Sequence, residues 1–242
     1  MVEGTTLTKE KKGLWRVSQL ELLYIKEAID NGLTGKYVNI FEEKFAALVG
    51  TQYAVAVNSG TSALHAAMLA LEIGAGDEVI VPPLTFIATA YAPLYVNAKP
   101  VFADVDKRTM TIDPMSIRAK ITQKTKAIIT VSLYGLIPEM DEIRKIAQEH
   151  NLFIVEDNAQ CVLGKYKSQP ESSFGDISIY SFQRSKHLTS GDGGVVVTNN
   201  NELARNVRKY ADLGYRLLTA KPSTNENFKD QIQRPNFKRH EM

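Results

Sequence analysis

After Gly50 the sequence alternates short apolar runs with helical stretches, and that alternation restricts the fold more than any other feature. Seven candidate strands, 53–58, 78–82, 100–104, 126–132, 152–157, 176–182 and 193–198, are mostly separated by helical patterns at 61–73, 85–95, 113–121, 139–150 and 201–212. Several of these runs are nearly continuous Ala, Val and Ile, as strands buried on both faces require. The pattern predicts an α/β domain around a mostly parallel seven-stranded sheet. A loop without a clear helix joins the last two runs, which allows one antiparallel member.

Upstream, Ser18-x-x-Glu21 reads as a capping box, with Leu22, Ile25 and Ile29 on one helical face and Gly32 as the stop. Asn39-x-x-Glu42 reads as the cap of a second helix carrying Val38, Phe41, Phe45 and Leu48. Beyond Leu213 the chain is polar, contains two prolines and shows neither periodicity, so it reads as a loop or tail. The expected organisation is a helical segment at 1–50, an α/β domain at 51–213 and a polar tail at 214–242.

Composition narrows the function. The chain has 242 residues and a net charge of +2, which gives no reason to expect nucleic acid or an anionic membrane as partner. Its single cysteine, Cys161, excludes an intrachain disulfide and fits a reducing compartment. No apolar run approaches the roughly 20 residues of a spanning helix, and no basic-then-apolar leader opens the sequence. A cytoplasmic protein is expected. No metal is expected either, because no His, Cys, Asp and Glu cluster with ligand spacing surrounds the carboxylates at 156–157, and His65, His150, His187 and His240 are widely scattered.

Open α/β sheets bind ligands beyond the carboxyl ends of their strands. The first strand runs into Asn58-Ser-Gly60-Thr61-Ser62, where a turn opening a helix offers N–H groups, hydroxyls and a positive dipole end to a phosphate. The same residues also suit an ordinary N-cap. After the second strand, Phe86 could stack on a planar ligand or simply pack. The fifth delivers Glu156, Asp157 and Gln160, and a carboxylate at a buried strand end needs an Arg, a metal or a protonated ring nitrogen as partner. The sixth delivers Ser181, and the loop after it carries Lys186. An amine held near an apolar edge has its charged form disfavoured and can attack a carbonyl. A phosphate cup, an aromatic plane, an acid and an amine together match what pyridoxal 5′-phosphate needs. Glu156, Cys161, His65 and His187 read as packing, capping or solvated residues.

The blocks "NGLTGKYVNIFEEKFAALVGTQYAVAVNSGTSALHAAMLAL", "GDEVIVPPLTFIATA", "KPVFADVD", "LYG", "VEDNAQ" and "SFQRSKHLTSGDGGVVVTN" run in this order from about Asn31 to Asn200. Together they resemble the DegT/DnrJ/EryC1/StrS sugar aminotransferases, of the fold type I class. The resemblance implies the three-layer α/β/α large domain of that class. It implies that Lys186 holds the cofactor as a Schiff base and later moves a proton, and that Asp157 partners the pyridinium nitrogen. It places Phe86 on the ring, Gln160 on the phenolic oxygen, and Ser181 with Gly60, Thr61 and Ser62 around the phosphate. The implied reaction moves an amino group, usually from glutamate, to a keto sugar attached to a nucleotide, in a homodimer.

The chain departs from the family at three places. Ser132 stands where "HLYG" has its histidine, and "AQCVLG" replaces "AQAHGA" at Gln160 to Gly164. Both changes bear on substrate rather than cofactor. The family's dehydratase branch has histidine in place of the lysine, so Lys186 in register favours transamination. Members also continue into a C-terminal domain, including an asparagine that reaches the neighbouring subunit's cofactor phosphate. The sequence stops short of that domain, so the alternative expectation is a non-catalytic relative that binds cofactor or dimerises.

Overall fold

Seven runs of the chain pair into one sheet in the computed structural model, which describes residues 18–32 and 35–211. The strands are β1 (Tyr53–Val57), β2 (Glu78–Val81), β3 (Lys99–Phe102), β4 (Thr125–Val131), β5 (Phe153–Asp157), β8 (Ile177–Ser181) and β9 (Gly194–Thr198). A separate hairpin pairs β6 (Lys165–Tyr166) with β7 (Gln169–Pro170). The sheet order is β1-β9-β8-β5-β4-β2-β3. Every neighbouring pair from β8 to β3 is parallel, whereas β9 runs antiparallel to both β8 and β1. The antiparallel member allowed by the sequence is therefore β9.

Helices α3 (Gly60–Ala70), α4 (Ala88–Tyr95) and α7 (Asn201–Ala211) cover one face, and α5 (Pro114–Lys120) and α6 (Met140–His150) cover the other. The strand period of two assigns alternate residues to these layers. Val79 and Val81 face α3 and α4, while Ile80 between them faces α5 and α6. On the first side, Ala63, Ala66, Ala67 and Ala70 of α3 are buried, and their small side chains let the helix approach the sheet closely. On the second, Phe45 of α2 (Lys36–Val49) meets Tyr180 edge-on at a centroid distance of 5.0 Å, a favoured aromatic geometry. The result is the three-layer α/β/α arrangement expected from the sequence.

The described chain divides into two compact units, one ending at Tyr37 and one starting at Val38. The first contains α1 (Gln19–Asp30), whose capping box is formed as expected between Ser18 and Glu21. Gly32 follows its C-cap with φ +74°, the left-handed stop that glycine permits. The tail expected at 214–242 lies outside the described residues.

Two expectations are corrected by these elements. Asn39 does not cap a helix, because α2 begins at Lys36 and places Asn39 inside it. Glu42, expected to complete that cap, is buried instead. Its carboxylate accepts the N–H of Ala56 on edge strand β1 at 2.8 Å and pairs with Arg208 of α7. Helix interior and capping box share the same three-residue spacing, so the motif alone does not separate them. Likewise α4 begins at Ala88 and not at residue 85, since Pro82-Pro83 holds the chain extended where β2 ends.

Glu42 thus ties helix α2 to the edge strand and to α7. Replacing it by alanine (Glu42→Ala) leaves the Arg208 charge buried, a type of change that costs about 3–5 kcal/mol. Urea unfolding of the variant is expected to show a loss of that order, and a loss below about 0.5 kcal/mol would contradict the account.

Candidate active site

The carboxyl ends of β1, β5 and β8 and the start of β9 meet at one edge of the sheet. Gly194 is paired with Val57 on one side and Ser181 on the other. The first turn of α3 is pressed against this edge. A β-carbon added at Gly60 would lie 2.8 Å from Ser181 Cβ, and one added at Gly194 would lie 2.3 Å from the Ser59 carbonyl oxygen. Neither position has room for a side chain. The Ser59 hydroxyl accepts the Ser62 N–H at 3.0 Å and caps the helix, while the N–H groups of Gly60 and Thr61 lie at the positive end of the helix dipole without an intrahelical acceptor.

A cavity of about 370 Å³ opens beyond this edge. Gly60, Thr61, Phe86, Asp157, Gln160, Ser181 and Lys186 all line it, although they come from five separate stretches of chain. The structure therefore brings together all but one of the residues that the sequence singled out. Ser62 lies outside that lining, with its N–H and hydroxyl both bonded to Ser59. Thr85, Gln183, Ser185 and Asp192 also line the cavity and were not read from the sequence. Thr85 precedes α4 and Thr89 lies in its first turn, so helical periodicity does not link the two in the sequence.

Asp157 is buried, and burial pushes its carboxyl above the ordinary value. The Thr89 hydroxyl donates to Oδ2 at 2.8 Å and the Ala159 N–H donates to Oδ1 at 3.1 Å. These bonds and the charge of Lys186 pull the other way and favour the carboxylate. Gln160 is held by its oxygen, which accepts the Tyr134 N–H at 3.0 Å. That bond fixes the amide so that its NH2 end remains the donor. Phe86 stands 67% exposed at the mouth, a poor position for a packing residue and a good one for stacking.

Glu156, adjacent in sequence, points to the opposite face of the sheet. Its carboxyl is raised from 4.5 to about 8, chiefly by burial, and its Oε1 accepts from Phe174 N–H, Gly175 N–H and the Ser178 hydroxyl. Burial also raises the Cys161 thiol to about 11, which keeps it protonated and unreactive. Ser132, at the family's histidine position, donates to Asn158 Oδ1 at 2.8 Å and does not line the cavity. Among the described residues no cluster of three or more His, Cys, Asp or Glu could hold a metal, and no helix is long and apolar enough to cross a membrane.

A three-layer α/β/α fold with a lysine, a buried acid and a helix N-terminus at one sheet edge defines the large domain of fold type I aminotransferases. The chain belongs to the DegT/DnrJ/EryC1/StrS aminotransferase family, whose model matches residues 17–231. It is 43% identical over 188 residues to GDP-perosamine synthase of Caulobacter vibrioides, covering 76% of this chain and 51% of that protein. It is 50% identical over 177 residues to a UDP-N-acetyl-3-dehydro-α-D-glucosamine 3-aminotransferase of Acidithiobacillus ferrooxidans, covering 73% and 48%. The chain spans about half the length of the curated relatives it matches.

Among solved structures, an aminotransferase from Psychrobacter cryohalolentis matches with a TM-score of 0.79 and 39% identity, covering 85% of this chain and 57% of that one. A Bacillus subtilis structure with bound cofactor PMP matches with a TM-score of 0.73 and 32% identity, covering 80% and 45%. Pyridoxal phosphate, with its amino form, is the cofactor of this family.

The raised Glu156 carboxyl sets a pH dependence. Between about 4.5 and about 8 the folded chain keeps this proton and the unfolded chain releases it, so the group's contribution to stability falls as pH rises through that window. Glu156→Gln is neutral throughout and is expected to flatten the decline of stability between pH 5 and 8. Denaturation midpoints across that range test this, and a slope as steep as in the parent would contradict it.

Proposed function

We propose that this chain is the cofactor-holding part of a pyridoxal-phosphate aminotransferase that moves an amino group from glutamate, or a similar donor, to the keto group of a nucleotide-linked sugar. The observation that carries the reading is one cavity lined by an amine, Lys186, and a buried acid, Asp157, beside the first turn of α3.

The residues present fit the cofactor. The N–H groups of Gly60 and Thr61, with the Ser181 hydroxyl, form a cradle for a phosphate, and the close approach at Gly60 and Gly194 fixes its shape. When bound, pyridoxal phosphate supplies an electron sink at the substrate carbon. Lys186 supplies the amine that tethers it and the base that takes and returns a proton. With the cofactor in place, the Asp157 carboxylate would hold the positive ring nitrogen, Phe86 would cover the ring and exclude water from it, and the Gln160 amide would donate to the phenolic oxygen.

The sugar assignment rests on relatives named for GDP-perosamine and for a UDP-linked 3-dehydro sugar. We also propose a homodimer. Leu84, Phe86, Ile87, Tyr91, Leu94 and Tyr95 expose an apolar surface along α4 and the turn before it, and exposed apolar patches of this kind mark interaction sites. A cytoplasmic location accords with the single buried thiol.

Borohydride reduction of the chain mixed with pyridoxal phosphate is expected to fix one cofactor on Lys186, as read by peptide mass, and Lys186→Ala is expected to abolish the label. Labelling of a different lysine, or none, would reject the cofactor reading. Fixation without transfer from glutamate to any 4-keto or 3-keto nucleotide sugar would favour a non-catalytic relative. Light scattering of the purified chain is expected to give twice the chain mass of 26.9 kDa, and a monomer at micromolar concentration would remove the dimer from the reading.

A further inference from the structure

Three side chains form a line from the cavity into the protein. Thr85, half-buried and lining the cavity, lies 2.8 Å from the hydroxyl of Thr89. Thr89, fully buried in the first turn of α4, lies 2.8 Å from Asp157 Oδ2 on β5. Residue 89 takes no part in capping its own helix, which has no side-chain cap. Its hydroxyl is spent on a residue 68 positions away.

A hydroxyl has one proton, and a carboxylate only accepts. With Asp157 ionised, the Thr89 proton is committed to Oδ2, so the Thr89 oxygen must accept from Thr85. The Thr85 proton is then turned inward and its free lone pairs face the cavity. A protonated Asp157 would donate to Thr89 instead and reverse the whole line. The direction of these bonds is therefore coupled to the charge of the acid.

We propose that Thr89, oriented by Thr85, is a positioning residue that holds Asp157 as a fixed, ionised acceptor for the cofactor ring, and that Thr85 presents an acceptor to donor groups of whatever occupies the cavity. The role rests on the cofactor reading given above. Thr89 is needed because burial alone disfavours the Asp157 anion, while Ala159 N–H and the charge of Lys186 are its other supports. Lys186 is the charged group acting on Asp157, and it comes from the loop after β8.

The test compares Thr89→Val, which keeps the shape and removes the hydroxyl, with Thr89→Ser, which restores it, and with Thr85→Val, which removes the outer link only. In the cofactor-free chain, carboxyl-carbon NMR of Asp157 is expected to titrate at higher pH in Thr89→Val than in the parent, to return in Thr89→Ser, and to move part of the way in Thr85→Val. Pyridoxal-phosphate affinity, from fluorescence titration, is expected to fall about tenfold in Thr89→Val and to recover in Thr89→Ser, the loss of one hydrogen bond to a charged group. An Asp157 titration unmoved in both valine variants overturns the proposal, and so does an affinity loss that serine fails to restore. Titrations that move in the variants, with a parent chain that never fixes cofactor on Lys186, overturn the cofactor reading instead, and with it the role toward the ring. Should Thr89→Val fail to fold, Thr85→Val decides the outcome through the Asp157 titration, and an unmoved titration there overturns the proposal.

Discussion

The first turn of α3 sits so close to the ends of β8 and β9 that no side chain fits between them, and the rest of the site depends on that contact. Gly60 and Gly194 are the residues that allow it. With the helix seated there, its free N–H groups lie beside Ser181 and across from Asp157, and the cavity acquires a positive rim next to a buried acid. The alanines further along α3 serve the same end, since their small side chains keep the whole helix axis near the sheet. A bulkier residue at either glycine would lift the turn and separate groups that act together only at short range.

Two adjacent carboxylates show how the sheet assigns opposite tasks to similar residues. Asp157 and Glu156 are both buried at the end of β5, but alternate strand residues face opposite layers. Glu156 faces a closed interior where two backbone N–H groups and a serine surround one oxygen, and burial still dominates, so the group stays protonated at neutral pH. Asp157 faces the cavity; burial is again the largest influence and raises its carboxyl, but a threonine, a backbone N–H and a nearby amine oppose it. The difference is one of surroundings, and residue type does not reveal it.

The extent to which the sequence disclosed this arrangement follows from the range of the interactions. Strands buried on both faces leave long apolar runs, so β2, β4, β5, β8 and β9 were legible, and with them the edge where Asp157, Ser181 and Lys186 collect; the edge strands β1 and β3 also showed as short apolar runs. The β6/β7 hairpin was not legible. Its strands are two residues long, too short for any alternation, and its turn at Lys167 and Ser168 uses positive φ without a glycine to announce it. Glu42 reads as part of a cap in the sequence because its partners, Ala56 and Arg208, lie outside its helix. Thr85 and Thr89 carry no signal in the sequence for the same reason, since their meaning depends on an acid on another strand.

Because β9 turns back against β8, the loop at 182–193 that carries Lys186 begins and ends at one paired position, Ser181 opposite Gly194. Both ends of the loop are tied to the sheet at the same point, and its Phe182 and Gln183 backbone bonds to Gly193 and Lys186 brace the base. Changes in loop length between these anchors would therefore alter the reach of the amine while leaving strand register intact. The fold separates the part that can vary from the part that cannot, and a lineage could retune where its lysine strikes without renegotiating how the sheet is built.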